Sequence, residues 1–174
     1  MSIAEGGVNL AVHHRNDSLL RQSLWRERAY NCHPTDNPGN ILQNAEELLR
    51  TSLWGRSLTE EEMRKALAGT CERTFAAGAF ICMKGEPVDQ WMGIVNGLGK
   101  MASHWTTGKT TSLTGITTGG WFGEGSLLKR EPRRYDVMAI RETRVAFMNR
   151  STFEWLLDHS IPFNRYLVVQ INER

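Results

Sequence analysis

Thr118-Gly119-Gly120-Trp121-Phe122-Gly123-Glu124-Gly125-Ser126-Leu127-Leu128, continued by Lys129-Arg130-Glu131-Pro132-Arg133-Arg134-Tyr135, is the most informative stretch of this chain. Four glycines fall between positions 119 and 125, just ahead of a short apolar run that can open a helical turn. Glycine lets the backbone take positive φ and come close to a ligand. The exposed N–H groups at a helix start attract anions. An arginine nearby can grip the same anion through two parallel hydrogen bonds, and Arg134 stands ten residues after Glu124. A carboxylate such as Glu124 can accept hydrogen bonds from sugar hydroxyls. Together these are the parts of a ribose-phosphate site.

Outward from this stretch, the texture between residues 73 and 148 is one of short apolar or alternating runs. They occupy 80–83, 91–95, 98–105, 110–116, 135–141 and 144–148, and are separated by turn residues such as Gly78, Lys84-Gly85-Glu86-Pro87, Asn96-Gly97 and Thr107-Gly108-Lys109. Many short strands with glycine turns at close intervals signal an antiparallel barrel or jelly roll. The small interior of such a barrel can hold one small ligand. Trp91, Trp105 and Trp121 are expected to pack the barrel and its rim, and Cys71 and Cys82 to lie in its core.

Helical signals flank the strands. Ile41, Leu42, Ala45, Leu48, Leu49 and Leu53 fall at helical spacing. Ser57 and Thr59 each precede a glutamate by three residues, the pattern of a capping box. Ser151-Thr152-Phe153-Glu154 repeats that pattern after the last strand. Ile161-Pro162 then breaks the helix, and Pro162 suits the first turn of another. Phe163, Tyr166, Leu167 and Ile171 begin an apolar stripe there. The expected organisation is a polar arm over residues 1–39 with a helix at 18–29, a β-domain with flanking helices over 40–160, and a short helix over 161–174. The fold class is α+β, mainly β.

Composition excludes several classes. Formal net charge is +2, apolar content is 40% and the charged fraction is 23%, which is not the composition of a disordered chain and gives no argument for nucleic-acid binding. The start of the sequence lacks the basic and apolar regions of a signal peptide, and no stretch reaches transmembrane length. Three widely spaced cysteines, Cys32, Cys71 and Cys82, do not make a disulfide framework and fit a reducing cytoplasm. His13-His14 and Cys32-His33 lack further ligands at metal-site spacing, and no metal is expected. There is no nucleophile–base arrangement, so no catalytic residue is expected. Lys129, Arg130 and Arg133 read as a solvated basic loop.

The segment from about residue 74 to 149 resembles the cyclic-nucleotide-binding domain of the Crp/Fnr family of bacterial transcription regulators. Phe75-x-x-Gly78, Lys84-Gly85-Glu86, Ile94-x-x-Gly97, Gly108, Gly120-x-Phe122-Gly123-Glu124, Leu127-Leu128 and Arg134 carry the resemblance. It implies a jelly-roll sensor domain of the double-stranded β-helix kind, with cyclic AMP or cyclic GMP as effector. It also implies that Glu124 accepts from the ribose 2′-hydroxyl and that Arg134 pairs with the cyclic phosphate. Gly123 and the amides of Gly125 and Ser126 would complete the cradle. The ending that starts at Phe163 is similar to the family's dimerisation helix, implying a homodimer. In that family DNA is read by a helix-turn-helix domain, for which the residues after Arg150 are too few. Nucleotide-binding members usually carry Ser or Thr, then Ala, after the arginine, where this chain has Tyr135 and Asp136. Tyr135 is bulky enough to fill space beside the phosphate or base. Alternation along a strand lets at most one of Tyr135 and Asp136 face the pocket. The alternative reading is a ligand-free module that serves dimerisation or docking.

Overall fold

The computed structural model describes residues 44–104 and 110–173. The expected arm over 1–39, together with Ile41, Leu42 and Trp105, lies outside them. Helix α1 (Ala45–Thr51) starts at Asn44, whose side chain accepts from the Glu47 amide. A 3-10 turn at Gly55–Ser57 leads to α2 (Glu60–Ala68). The capping box belongs to Thr59 and Glu62: each side chain accepts from the other's backbone amide, at 3.2 and 2.7 Å. Burial pushes the Glu62 carboxyl up, but bonds from the Thr59 amide and from the Ser160 and Thr59 hydroxyls, with the charge of His159, outweigh it and hold the group below its usual value.

Among the described residues, eight strands follow. They are β1 (Thr70–Phe75), β2 (Phe80–Cys82), β3 (Gln90–Asn96), β4 (Leu98–His104), β5 (Thr110–Thr117), β6 (Trp121–Phe122), β7 (Asp136–Ala139) and β8 (Thr143–Asn149), with α3 (Glu124–Lys129) between β6 and β7. They form two four-stranded sheets, in the orders β1-β8-β3-β6 and β2-β7-β4-β5. Every pairing is antiparallel, for example Met92↔Phe147 and Met101↔Val137. This is the interleaved order of a jelly roll, two facing sheets rather than a closed barrel.

The sheets enclose a core of Ile81, Met92, Ile94, Met101, Ile116, Phe122, Val137, Val145 and Phe147. A second core lies on the other face of β3 and β8, where Trp91, Val95 and Met148 meet Leu48, Trp54, Met63 and residues of the last two helices. β3 is therefore buried on both faces, which is why it reads as a continuous apolar run. Gly93 sits at the crossing: a methyl group there would come within 2.8 Å of the Trp121 ring.

The C-terminal helices are α4 (Arg150–His159) and α5 (Ile161–Asn172). The expected Ser151 capping box is not used. Asn149 is the cap, accepting from the Thr152 amide at 2.8 Å, because β8 ends at Asn149 and runs directly into the helix, two residues before Ser151. Ser160 caps α5, with Pro162 in its first turn. Phe163 and Leu167 face the outer core, while Ile161, Val168, Val169 and Ile171 are exposed. Cys82 is a buried free thiol. Cys71, which packs against the inner core, is disulfide-bonded, against the sequence expectation. Among the described residues, no helix is long and apolar enough to cross a membrane.

Candidate functional site

β6 delivers Phe122 to the inner core and stops at Gly123, which takes φ +96°. That conformation is easy for glycine and costs an L-residue about 1–2 kcal/mol. The turn aims the chain into α3, so that Glu124, Ser126 and Leu127 are buried and Gly125 is partly exposed. A Cβ on Gly125 would meet open space. The expected cradle residues Gly123, Glu124, Gly125 and Ser126 therefore lie together in one tight turn.

After α3, Arg130 closes the helix in a left-handed conformation, φ +54°, and Pro132 follows. The chain is then pinned at Arg133. Its amide donates to the Glu86 carbonyl at 2.9 Å, and its carbonyl accepts from the Gly85 amide at 2.8 Å. The Lys84-Gly85-Glu86 turn is thus the clamp that sets which residue points inward.

That residue is Arg133, not Arg134. Arg133 is only 7% exposed, so the expectation of a solvated loop fails for it. Its Nη2 donates to the Gln90 carbonyl at 3.2 Å. Its Nη1 is buried without a hydrogen-bond partner, and a methyl group on Gly123 would come within 3.0 Å of it. Arg134 points outward. Its side chain is 66% exposed, and Nε and Nη2 both donate to Glu131 Oε2, at 3.1 and 2.5 Å. The ten-residue spacing from Glu124 selects a surface ion pair. Counting back in twos from the inward residues Ala139 and Val137 reaches Tyr135 and then Arg133. That alternation puts Arg133 and Tyr135 on the inward face.

Tyr135 is half-buried against the inner core. Asp136 turns the other way, its Oδ1 accepting from the Lys84 amide at 2.7 Å. Burial pushes the Cys82 thiol up to about 11, while the Arg133 guanidinium pulls in the opposite direction. One more polar residue reaches this end of the inner core. Arg73, on β1, places its guanidinium 4.1 Å from the Phe147 ring centre and donates from Nη2 to Gln90 Oε1 at 3.1 Å. Sequence reading missed Arg73 because β1, Thr-Cys-Glu-Arg-Thr-Phe, has no apolar run to mark it as a strand.

Known proteins share this architecture. The chain is similar to the sensor domain of the transcriptional regulator DNR from Pseudomonas aeruginosa, with a TM-score of 0.67 and 16% identity over 74% of this chain and 87% of that one. It is also similar to the regulatory domain of Toxoplasma gondii protein kinase A, solved with cAMP, with a TM-score of 0.66 and 22% identity over 74% of this chain and 49% of that one. At such identities the likeness is one of fold. A curated relative, a cAMP-dependent protein kinase regulatory subunit of Dictyostelium discoideum, is 27% identical over 115 residues, 66% of this chain. The match spans only 35% of that relative's length. The sequence profile of the cyclic nucleotide-binding domain matches residues 72–160, just over half of the 174 residues. The chain belongs to the cyclic nucleotide-binding domain family.

Proposed function

We propose that this domain senses a small effector, a cyclic nucleotide or a related small anion. The effector would lie at the turn of Gly123, Glu124, Gly125 and Ser126, with Arg133 taking the phosphate in place of Arg134. One observation carries the reading: a guanidinium that is almost fully buried, with an Nη1 that has no hydrogen-bond partner, stands against a glycine in a left-handed turn. Burying a charge is costly unless it is paired and hydrogen-bonded. An anion seated at the turn would supply the missing partner. In this arrangement Glu124 accepts from a ribose hydroxyl, and Tyr135 forms part of the pocket wall. The family, and the cAMP named for the Toxoplasma and Dictyostelium proteins, support a cyclic nucleotide as the effector.

The signal would leave through α5. Its exposed Ile161, Val168 and Ile171 suit pairing with a second copy, and we propose a homodimer through that face. We propose a regulatory, non-catalytic role in the cytoplasm, as the sensor of a Crp/Fnr-type transcription regulator. DNA contact would require a helix-turn-helix outside these 174 residues. Tyr135, which occupies inner-core space, favours the alternative of a ligand-free docking module. Calorimetric titration with cAMP and cGMP decides between them. The sensor reading expects saturable heat that Arg133→Ala weakens by about 10- to 100-fold, the worth of a charged hydrogen bond at about 1.5–3 kcal/mol, and that Arg134→Ala leaves in place. Absence of heat with either nucleotide, or a loss confined to Arg134→Ala, overturns it.

A further inference from the structure

A cavity of about 700 Å³ opens beside β5, the edge strand of its sheet. That is a size that suits one small ligand. Its floor is made of buried side chains, Met101, Ile116 and Trp121. One wall is β5 and the turn after it. There Gly119 presents bare backbone, and a Cβ on it would meet only open space. Another wall is α5. None of Gly123–Ser126, Arg133 and Tyr135 lines this cavity.

The α5 wall changes character along its length. Tyr166, Gln170 and Glu173 line it at i, i+4 and i+7, the spacing of one helix face. At 1.5 Å of rise per residue they span about 10 Å. The series runs from an aromatic ring through an amide to a carboxylate. Tyr166 is half-buried, whereas Glu173 is exposed and makes no ion pair among the described residues. Glu173 is also the C-cap of α5, where the helix dipole is negative. Among the described residues that line the cavity there is no lysine or arginine, so a phosphate or carboxylate would find no counter-charge. A cation at the Glu173 end would gain from both the carboxylate and the dipole. At the other end the apolar floor and the Tyr166 ring suit an aromatic group. Leu53, 76% exposed at the same cavity, adds apolar surface there.

We propose that this cavity is a second ligand site and takes an aryl-alkyl amine in its ammonium form. The ring lies toward Tyr166 and Trp121, and the ammonium lies toward Glu173. The cavity shares no residue with the proposed phosphate cradle, so either site can fail without the other.

Calorimetric titration of the full 174-residue chain with three probes of one ring and graded charge tests the proposal: 2-phenylethylammonium, 2-phenylethanol and phenylacetate. The ammonium is expected to bind saturably and about three- to fivefold tighter than the alcohol, the scale of an exposed ion pair, with phenylacetate weakest. Glu173→Gln should abolish the preference for the ammonium and leave the alcohol's affinity in place. Gln170→Trp, in the middle of the α5 wall, should fill the cavity and remove binding of both. Arg133→Ala should change neither. The proposal is overturned if the ammonium does not bind, if phenylacetate binds as tightly, or if Glu173→Gln weakens ammonium and alcohol alike. Unchanged affinity in Gln170→Trp also overturns it, and a loss of binding in Arg133→Ala would assign the ligand to the cradle instead. If Gln170→Trp loses its native circular dichroism, the probe preference and the exposed Glu173→Gln variant decide.

Discussion

The two cores on either side of the β1-β8-β3-β6 sheet are built from different materials. The helix side is an aromatic stack. Trp91 lies 4.3 Å from Trp121 and 5.3 Å from Trp54, and Phe153 and Phe163 meet Trp91 edge-on at 5.4 and 5.6 Å. The inner side is mostly aliphatic, and Arg73, Arg133 and Gln90 reach its end. The helix side holds α1, α2, α4 and α5 to the sheet through large rings that bury much apolar area. The inner side gives up part of that apolar contact to bring the Arg133 guanidinium to the Gly123 turn. The proposed ligand site lies where the packing departs from an all-apolar filling.

Substitutions can test that division. The largest effect is expected from Trp91→Ala in the aromatic stack, a loss of about 3–5 kcal/mol in unfolding free energy, read from the denaturant midpoint. Gly123→Ala comes next. A positive φ alone costs about 1–2 kcal/mol, and the new methyl presses on Arg133 Nη1, so both stability and nucleotide affinity should fall. A Gly123→Ala chain as stable as wild type would show that the turn is not strained by a side chain. The thiol of Cys82 gives a third test. Because burial holds its pKa near 11, the native thiol stays protonated at pH 8–9, where an exposed cysteine, with a pKa of about 8.5, is substantially ionised. The associated stability is present below the unfolded thiol's pKa and is lost as the pH rises through about 11. Alkylation at pH 8.5 should therefore be far slower in buffer than in urea, and equal rates would contradict the burial. The smallest effect is expected for Arg134→Ala, within about 0.5 kcal/mol, since it removes an exposed i,i+3 ion pair.

The sequence was legible where local chemistry and tertiary context agreed. The strands from β2 to β5 carry apolar runs and glycine turns, and the Thr59–Glu62 box and Pro162 mark helix starts that the structure has. The Gly123–Ser126 turn was likewise visible as a glycine cluster. Three features were not legible locally. β1 is polar in sequence and is a strand because β8 pairs with it throughout, from Thr70↔Met148 to Phe75↔Thr143. Asn149 caps α4 because β8 ends there, a fact of register that Ser151 cannot report. The choice between Arg133 and Arg134 is made by a backbone clamp to Gly85 and Glu86, nearly 50 residues earlier in the chain. A spacing counted along the chain cannot see a bond formed across it.

The close approach of Trp121 to Gly93 has an optical consequence. Trp91 and Trp121, inclined by 30° at 4.3 Å, are near enough for their excited states to couple, which gives a paired band of opposite signs in far-ultraviolet circular dichroism. Trp121 stands two positions before Gly123, so a rearrangement of the turn is transmitted along the shortest covalent path to one member of the coupled pair. The chain thus carries its own label-free gauge of the turn's conformation, one that Gly93→Ala would silence by displacing the ring.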